Sequence, residues 1–340
     1  MSEAITSLIH SQGCVRFTSE LGLEEVNLHT DSDQYEPTGV QVFRKMYEPL
    51  YKAPAPNTVK QIKDIRYGPA DRNLLDVYVP LSGSAGKAVL IFVHGGGFFS
   101  GDKGWSDKVF ANIGNYFAEK GIVVVVGNHQ LVPNVVYPGG ADDIQLTREW
   151  VFKNITSEEF GRGDPNQVVI FGHSSGGAHV VSNLYAAGDP ARPAVDPLSP
   201  PVAGLALFSV PWWFDMGQPT RRKIIGQYYG TDVEEKWEPF SPLGLFKRIP
   251  ADSPLTNPNV LPILLGSVKY EVEEAADSLI MFVNEYRAKG KPAGALPLIN
   301  VLDDHNHLSN ILSIGTEDDA QAKVLLEFIR TCGLKAVAKL

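Results

Sequence analysis

The chain has 340 residues, of which 44% are hydrophobic and 20% are charged. These fractions are typical of a soluble globular protein and argue against a disordered or fibrous one. Its 30 Lys and Arg residues against 39 Asp and Glu give a formal charge of −9. We therefore expect no nucleic-acid partner, because basic side chains supply much of the energy of binding to a phosphate backbone. No run of about 18 apolar residues is present, so we expect no membrane span.

The cysteines Cys14 and Cys332 are too few for a disulfide framework, which favours a reducing compartment. The first 14 residues lack a basic start followed by an apolar stretch, so we predict no secretory signal and a cytoplasmic location. The C-terminal residues Ala338-Lys339-Leu340 resemble the Ser-Lys-Leu peroxisomal address and leave the peroxisome as an alternative.

Predicted strands and helices alternate along most of the chain. Residues 74–79 alternate between apolar and polar, which predicts a half-buried strand, whereas residues 88–93 are continuously apolar, as in a strand covered on both faces. The alternation implies βαβ crossovers and an α/β fold with a mostly parallel central sheet flanked by helices. The predicted strands are 74–79, 88–93, 122–126, 168–171, 202–208, 261–265 and 296–301, and the predicted helices are 106–119, 142–155, 178–187, 273–288 and 317–331.

Two segments depart from this alternation. Residues 1–60 are weakly periodic and end in a proline-rich linker at 53–56. Residues 211–258 are rich in proline and aromatic side chains and contain no clear strand. We predict a core formed by residues 61–210 and 259–340, with 211–258 as an insertion over the carboxyl edge of the sheet, where ligands bind in open α/β sheets.

The sequence GHSSG at residues 172–176 matches the pattern G-x-S-x-G and stands between a predicted strand and a predicted helix. At such a sharp strand-to-helix turn, the glycines allow close packing and leave the hydroxyl of Ser174 at the tip. The N-terminus of the following helix adds the positive end of its dipole. We predict that Ser174 is a nucleophile.

The sequence HGGG at residues 94–97 directly follows the predicted strand 88–93. Three successive glycines bring several backbone N–H groups within reach of one developing oxyanion, with no Cβ atoms in the way. We therefore predict an oxyanion-binding loop at this position.

A serine nucleophile needs a histidine base and a carboxylate that fixes the tautomer of the histidine. Two histidines, His305 and His307, lie just beyond the last predicted strand. We favour His307, because it immediately precedes the apolar start of the next segment, and His305 is the alternative. The remaining histidines are predicted to be surface or structural residues: His10, His29, His94, His129, His173 and His179.

The acid is expected after the predicted strand 261–265, because the chain order in such sites is serine, acid and then histidine. Glu271 is the first carboxylate after this strand. Glu273 and Glu274 are alternatives, although they also fit the acidic first turn of the following helix.

The HGGG and GHSSG motifs together resemble the hormone-sensitive-lipase-like branch of the α/β-hydrolase esterases. The pairs Tyr137-Pro138 and Asp164-Pro165 are also similar, and the likeness covers about residues 60–335. Kynurenine formamidases share much of this pattern, and the presence of His173 in the elbow favours the similarity to them. The resemblance implies an α/β-hydrolase fold with a cap formed by residues 1–60 and 211–258.

The same resemblance implies roles for individual residues. Ser174 is then the nucleophile and His307 the base, and the N–H groups of Gly96, Gly97 and Ser175 form the oxyanion hole. Counting nine residues from Pro262 reaches Glu271 as the acid. The chain departs from the family in two places, because Lys269 stands where the usual Asp is found and Ser175 replaces the commoner Ala.

These assignments predict a serine esterase that cleaves a small-to-medium hydrophobic or aromatic carboxylic ester through an acyl-enzyme. We expect Phe98, Trp212 and Trp213 to bind the substrate, with packing between the cap and the core as the alternative role of such aromatics. No residue spacing suggests a metal site, and we expect no cofactor. The expected partner is a small-molecule substrate, and a homodimer is left open.

Other functions remain open at this stage. An arylformamidase, which hydrolyses an N-formyl aromatic amide, uses the same three catalytic residues. So does an acyltransferase or lactone-forming enzyme of a biosynthetic pathway. A binding protein built on an inactive hydrolase is less favoured, since such proteins usually lose the base or the elbow, and Ser174 and His307 are both present.

Overall fold

The computed structural model describes residues 3–12, 39–192 and 196–337. The expectations for Cys14, His29 and the C-terminal tripeptide Ala338-Lys339-Leu340 lie outside these residues.

The described residues form one eight-stranded sheet in the order β1-β2-β4-β3-β5-β6-β7-β8. The second strand runs antiparallel to both its neighbours, and the strands from β4 to β8 in this order are parallel. The strands are β1 Val59–Arg66, β2 Leu74–Pro80, β3 Lys87–Val93, β4 Val123–Gly127, β5 Gly163–His173, β6 Gly204–Phe208, β7 Ile263–Tyr270 and β8 Leu298–Asn306.

Helices cover both faces of the sheet. Strand β4 shows why, because its valines alternate between two apolar clusters, with Val123 and Val125 in one and Val124 and Val126 in the other. The helices are α1 Glu3–Gln12, α2 Gly39–Tyr47, α3 Ala111–Glu119, α4 Gly139–Asn154, α5 Ser175–Leu184, α6 Pro219–Tyr229, α7 Glu234–Trp237, α8 Pro242–Arg248, α9 Glu273–Lys289, α10 Ser309–Leu312 and α11 Ala320–Val337.

Several strand predictions need correction. The strand predicted at 74–79 is present as β2, but the prediction that it is half-buried is wrong, because β2 lies between β1 and β4 and is buried along most of its length. Strand β1 was not predicted, since its charged and largely exposed sequence lacks an apolar run. The strands predicted at 261–265 and 296–301 run on to Tyr270 and Asn306. Because both strands end in polar residues, a pattern of hydrophobic residues does not predict this extension.

Helix boundaries also shift. Helix α5 begins at Ser175, three residues before the predicted start, because the elbow glycines are already helical. Helix α3 begins at Ala111 and α11 at Ala320, both later than predicted. Helix α4 begins at Gly139.

The described parts of the two segments outside the alternation pack against opposite faces of the sheet. Helices α6 to α8 lie in the 211–258 insertion and join the apolar cluster that contains Val123. Residues Ile5 of α1 and Phe43 of α2 join the cluster that contains Val124. None of the helices within the described residues is both long and apolar enough to cross a membrane.

The start of the insertion is anchored on α9. The backbone N–H of Trp212 donates to Ser278 Oγ at 2.9 Å. Its indole ring stacks on Phe282, with the ring centroids 3.5 Å apart and the planes 6° from parallel.

We predict that Phe282→Ala lowers the free energy of unfolding by about 3–5 kcal/mol, because it removes a buried ring and leaves a cavity under Trp212. Urea unfolding measures this loss. The matched control is Ile280→Ala, an exposed position on the same helix, which should change stability by no more than about 0.5 kcal/mol. Equal losses for the two variants would contradict the packing described.

Candidate active site

Four polar side chains follow four adjacent parallel strands without an intervening residue. Strand β5 ends at His173 and is followed by Ser174, and β6 ends at Phe208 and is followed by Ser209. In the same way, Glu271 follows β7 and His307 follows β8. Since parallel strands present their carboxyl ends at one edge of the sheet, these side chains meet there.

Ser174 sits in a strained turn between β5 and α5. Its φ and ψ are 51° and −131°, a conformation with positive φ that is uncommon for a residue other than glycine. Its N–H donates to Phe208 O at 2.9 Å. A Cβ on Gly176 would lie 2.5 Å from Val93 O, so only glycine allows α5 to approach β3 this closely.

Ser174, His307 and Glu271 form a continuous hydrogen-bonded line. Ser174 Oγ lies 3.0 Å from His307 Nε2, and His307 Nδ1 lies 2.7 Å from Glu271 Oε1. All three side chains are buried. The carboxylate accepts a hydrogen bond from the N–H at Nδ1, which leaves Nε2 as the acceptor for the serine hydroxyl.

Ser209 and Asn310 hold the carboxylate of Glu271. Ser209 Oγ donates to Glu271 Oε2 at 2.6 Å, and Asn310 Nδ2 donates to Ser209 Oγ at 2.8 Å. The N–H of Val272 donates to Glu271 Oε1 at 3.0 Å. Sequence analysis missed Ser209 and Asn310, and the one available signal was the position of Ser209 directly after a predicted strand.

The alternative base and acids point elsewhere. His305 Nε2 lies 3.2 Å from Asp318 Oδ2, and its Nδ1 contacts Ser309 Oγ. The side chain of Glu273 is exposed. Glu274 is buried and paired with Arg221.

The glycine loop lies against the serine. Gly96 and Gly97 have φ values of 141° and 66°, both in the region that favours glycine. A Cβ on Gly95 would lie 2.8 Å from the Cβ of Ser174. The backbone of this loop therefore approaches Ser174 as closely as glycine permits. Ser175, the next residue after the serine, is the first residue of α5.

The three predicted substrate-binding aromatics lie in different surroundings. Phe98 is buried next to the glycine loop, with its ring centroid 4.9 Å from that of His179. Trp212 is buried on Phe282, as described above. Trp213 is half-buried, and its ring centroid is 5.9 Å from that of Trp237 in the insertion.

His173 supports the loop that carries the base. Its Nε2 donates to the backbone carbonyl of His307 at 2.9 Å. Burial, followed by the neighbouring His307, holds the pKa of His173 well below its ordinary value. Burial also lowers the pKa of His179, whose Nδ1 contacts the hydroxyl of Tyr228 at 3.2 Å. Both histidines are therefore structural and neutral, and sequence analysis did not foresee the contact between His173 and His307.

The fold is that of the α/β hydrolases, as the sequence predicted. Esterase B from Lactobacillus rhamnosis has a TM-score of 0.67 over 88% of this chain and 92% of its own, at 16% identity. Vibralactone cyclase has a TM-score of 0.59 over 96% of each chain, at 18% identity. At these identities the likeness shows the fold alone.

Residues 75–188 match the model of the BD-FAE family. A probable isoprenylcysteine alpha-carbonyl methylesterase from Oryza sativa subsp. japonica is 33% identical over 120 residues, which cover 35% of this chain and 26% of the relative. Cholinesterase 1 from Branchiostoma lanceolatum is 39% identical over 116 residues, covering 31% of this chain and 30% of the relative. The matches thus span less than a third of either curated relative, and they support the resemblance to α/β-hydrolase esterases.

We predict that His173 and His179, together with the likewise buried His94 and His129 whose pKa burial also lowers, make stability depend on pH. In the unfolded chain, His173 and His179 bind protons below about pH 6.5, whereas the folded chain keeps them neutral. Each then costs stability as the pH falls below this value, by about 1 kcal/mol per pH unit between pH 6.5 and 5 and by about 1.4 kcal/mol per unit at lower pH. Urea unfolding of the wild type between pH 7.5 and 5 measures the slope.

The comparison variant is His179→Gln, which removes one of these groups. Its stability should fall less steeply below about pH 6.5, by about 1 kcal/mol per pH unit, whatever its stability at pH 7.5. Identical slopes would mean that His179 is charged in the folded chain.

Proposed function

We propose that the protein is a serine esterase that cleaves small-to-medium hydrophobic or aromatic carboxylic esters through an acyl-enzyme on Ser174. The observation that carries this proposal is the line of hydrogen bonds from Ser174 through His307 to Glu271. Its support is the glycine loop beside Ser174 and the esterase names of the curated relatives.

In the first step, Ser174 Oγ attacks the ester carbonyl carbon and passes its proton to His307 Nε2. The carbonyl oxygen becomes an oxyanion that accepts hydrogen bonds from the N–H groups of Gly96, Gly97 and Ser175. Preorganised donors of this kind are worth about 10²- to 10³-fold in rate each. Collapse of the intermediate breaks the ester bond, and His307 returns the proton to the departing alcohol.

In the second step, water hydrolyses the acyl-enzyme. His307 takes a proton from the water, which attacks the acyl carbon, and the proton then returns to Ser174 as the carboxylic acid leaves. Glu271 stays ionised and stabilises the imidazolium that forms in both steps. The fixed Nδ1 contact keeps Nε2 directed at Ser174 throughout.

For the substrate contacts, we assign Phe98 and Trp213 to the pocket wall. Phe98 directly follows Gly97, and Trp213 is half-buried. Trp212 is assigned to the core instead, because its ring is stacked on Phe282. We further propose that the 211–258 insertion is the cap over residues 61–210 and 259–340.

We predict that wild-type protein hydrolyses p-nitrophenyl acetate and butyrate, and that Ser174→Ala lowers kcat by about 10⁴- to 10⁶-fold because it removes the nucleophile. Initial rates on the acetate, butyrate and decanoate esters measure this, and the chain-length profile sizes the pocket. Ser182→Ala, at a buried serine in α5, the helix that follows Ser174, is the control. Ester turnover that survives Ser174→Ala would contradict the nucleophile, and faster cleavage of an N-formyl aromatic amine would contradict the substrate class.

We predict that Glu271→Gln lowers kcat by about 10⁴-fold, because a neutral amide no longer fixes the tautomer of His307 or stabilises its charged form. The exposed Glu273 provides the matched control, and Glu273→Gln should leave kcat within about twofold. Comparable losses for the two variants would remove Glu271 from the assigned role.

A further inference from the structure

A buried ion pair lies outside the line of catalytic residues. Arg221, on α6 of the insertion, is 2% exposed, and Glu274, in the first turn of α9, is 9% exposed. Arg221 Nε donates to Glu274 Oε2 at 3.0 Å, and Arg221 Nη2 donates to Glu274 Oε1 at 2.5 Å. The two parallel bonds fix both the position and the plane of the guanidinium group.

The guanidinium group also contacts the glycine loop. Arg221 Nη1 lies 3.4 Å from the carbonyl oxygen of Gly97. Its guanidinium carbon lies 5.5 Å from the ring centroid of Phe98 and 5.1 Å from that of Phe214. One cation therefore contacts the carbonyl of a proposed oxyanion-hole residue and the side chain that follows it.

The loop needs such support because its backbone is strained at Phe98. Gly96, Gly97 and Phe98 have φ values of 141°, 66° and 79°. Glycine adopts positive φ readily, but at the non-glycine Phe98 this conformation is costly and persists only where the surroundings hold it. Arg221 contacts the ring of Phe98 and the carbonyl of the preceding Gly97.

The acid end of the pair is anchored close to the catalytic carboxylate. Glu274 lies three residues after Glu271, and its Oε2 also accepts the backbone N–H of Asp215 at 3.0 Å. The carboxylate thus joins the insertion to the start of α9. The hydrogen bonds to Glu274 therefore tie Arg221 to α9, the helix that begins two residues after Glu271.

We propose that Arg221, held by Glu274, is a positioning residue that keeps the oxyanion loop in its active conformation. This inference rests on the proposed esterase function. If Arg221 has this role, its replacement lowers kcat even in molecules whose active site has folded, in addition to any effect on folding. A buried ion pair adds little net stability over a neutral pair of similar size. If the pair only stabilised the fold, a neutral pair would therefore serve as well.

The variants separate these two roles. Arg221→Met leaves the buried carboxylate of Glu274 without its cation, whereas Arg221→Met combined with Glu274→Gln leaves a neutral pair. Arg221→Lys keeps the charge but cannot make the two parallel bonds. The matched control is Arg222→Met, on the exposed side of the same helix, where the side chain contacts Met216 O.

Each variant is assayed for Tm and for kcat and KM on p-nitrophenyl butyrate. Rates are divided by the concentration of sites that a fluorophosphonate labels, so that unfolded protein does not count. We expect Arg221→Met to lower Tm and to lower kcat per labelled site by about 10- to 100-fold, since small misplacements of catalytic groups have effects of this size. KM should change by less than about threefold, because the loop binds the oxyanion and not the ground-state ester.

The double variant is the decisive case. We expect it to recover Tm while kcat stays low, and we expect Arg221→Lys to fall between wild type and Arg221→Met. Recovery of both Tm and kcat in the double variant would overturn the inference, as would equal kcat values for Arg221→Met and Arg222→Met. Wild-type protein that neither hydrolyses the ester nor reacts with the fluorophosphonate would instead overturn the proposed function itself.

Discussion

The candidate site depends on four neighbouring parallel strands whose carboxyl ends lie at one edge of the sheet. The strands end in two pairs, His173 opposite Phe208 and Tyr270 opposite Asn306, and β7 and β8 run further because Phe208 lies opposite Gly266. The next residue along each strand is therefore delivered to one edge. A one-residue change in where β7 or β8 ends would separate Glu271 from His307, because the hydrogen bond between them has little slack at 2.7 Å.

The packed core permits strain at this edge. Ser174 and Ser209 both have positive φ, at 51° and 55°, and Phe98 in the facing loop reaches 79°. Each of these conformations costs about 1–3 kcal/mol and requires rigid surroundings. Apolar clusters on both faces of the sheet supply that rigidity, and glycine at position 95 lets the loop touch the serine turn. The geometry of the site therefore depends on the packing of the core.

Local chemistry explains which parts could be predicted from the sequence. The turn at Ser174 and the glycine loop are short, and each demands particular residues within a few positions, so both were found. Strand ends were misjudged, because β7 and β8 continue through polar residues to Tyr270 and Asn306. Ser209 and Asn310 left no comparable motif. Their positions follow from pairing between strands distant in the chain, which no local pattern records.

The three acidic residues after β7 show how tertiary structure separates equivalent side chains. Glu271, Glu273 and Glu274 lie within about one helical turn, where consecutive residues point in different directions. Glu271 faces His307, Glu273 faces solvent, and Glu274 faces Arg221. This short acidic segment thus contacts the base His307 through Glu271 and the insertion through Glu274. Because the start of α9 carries both contacts, a shift of the insertion would move a neighbour of the catalytic carboxylate as well as the oxyanion loop.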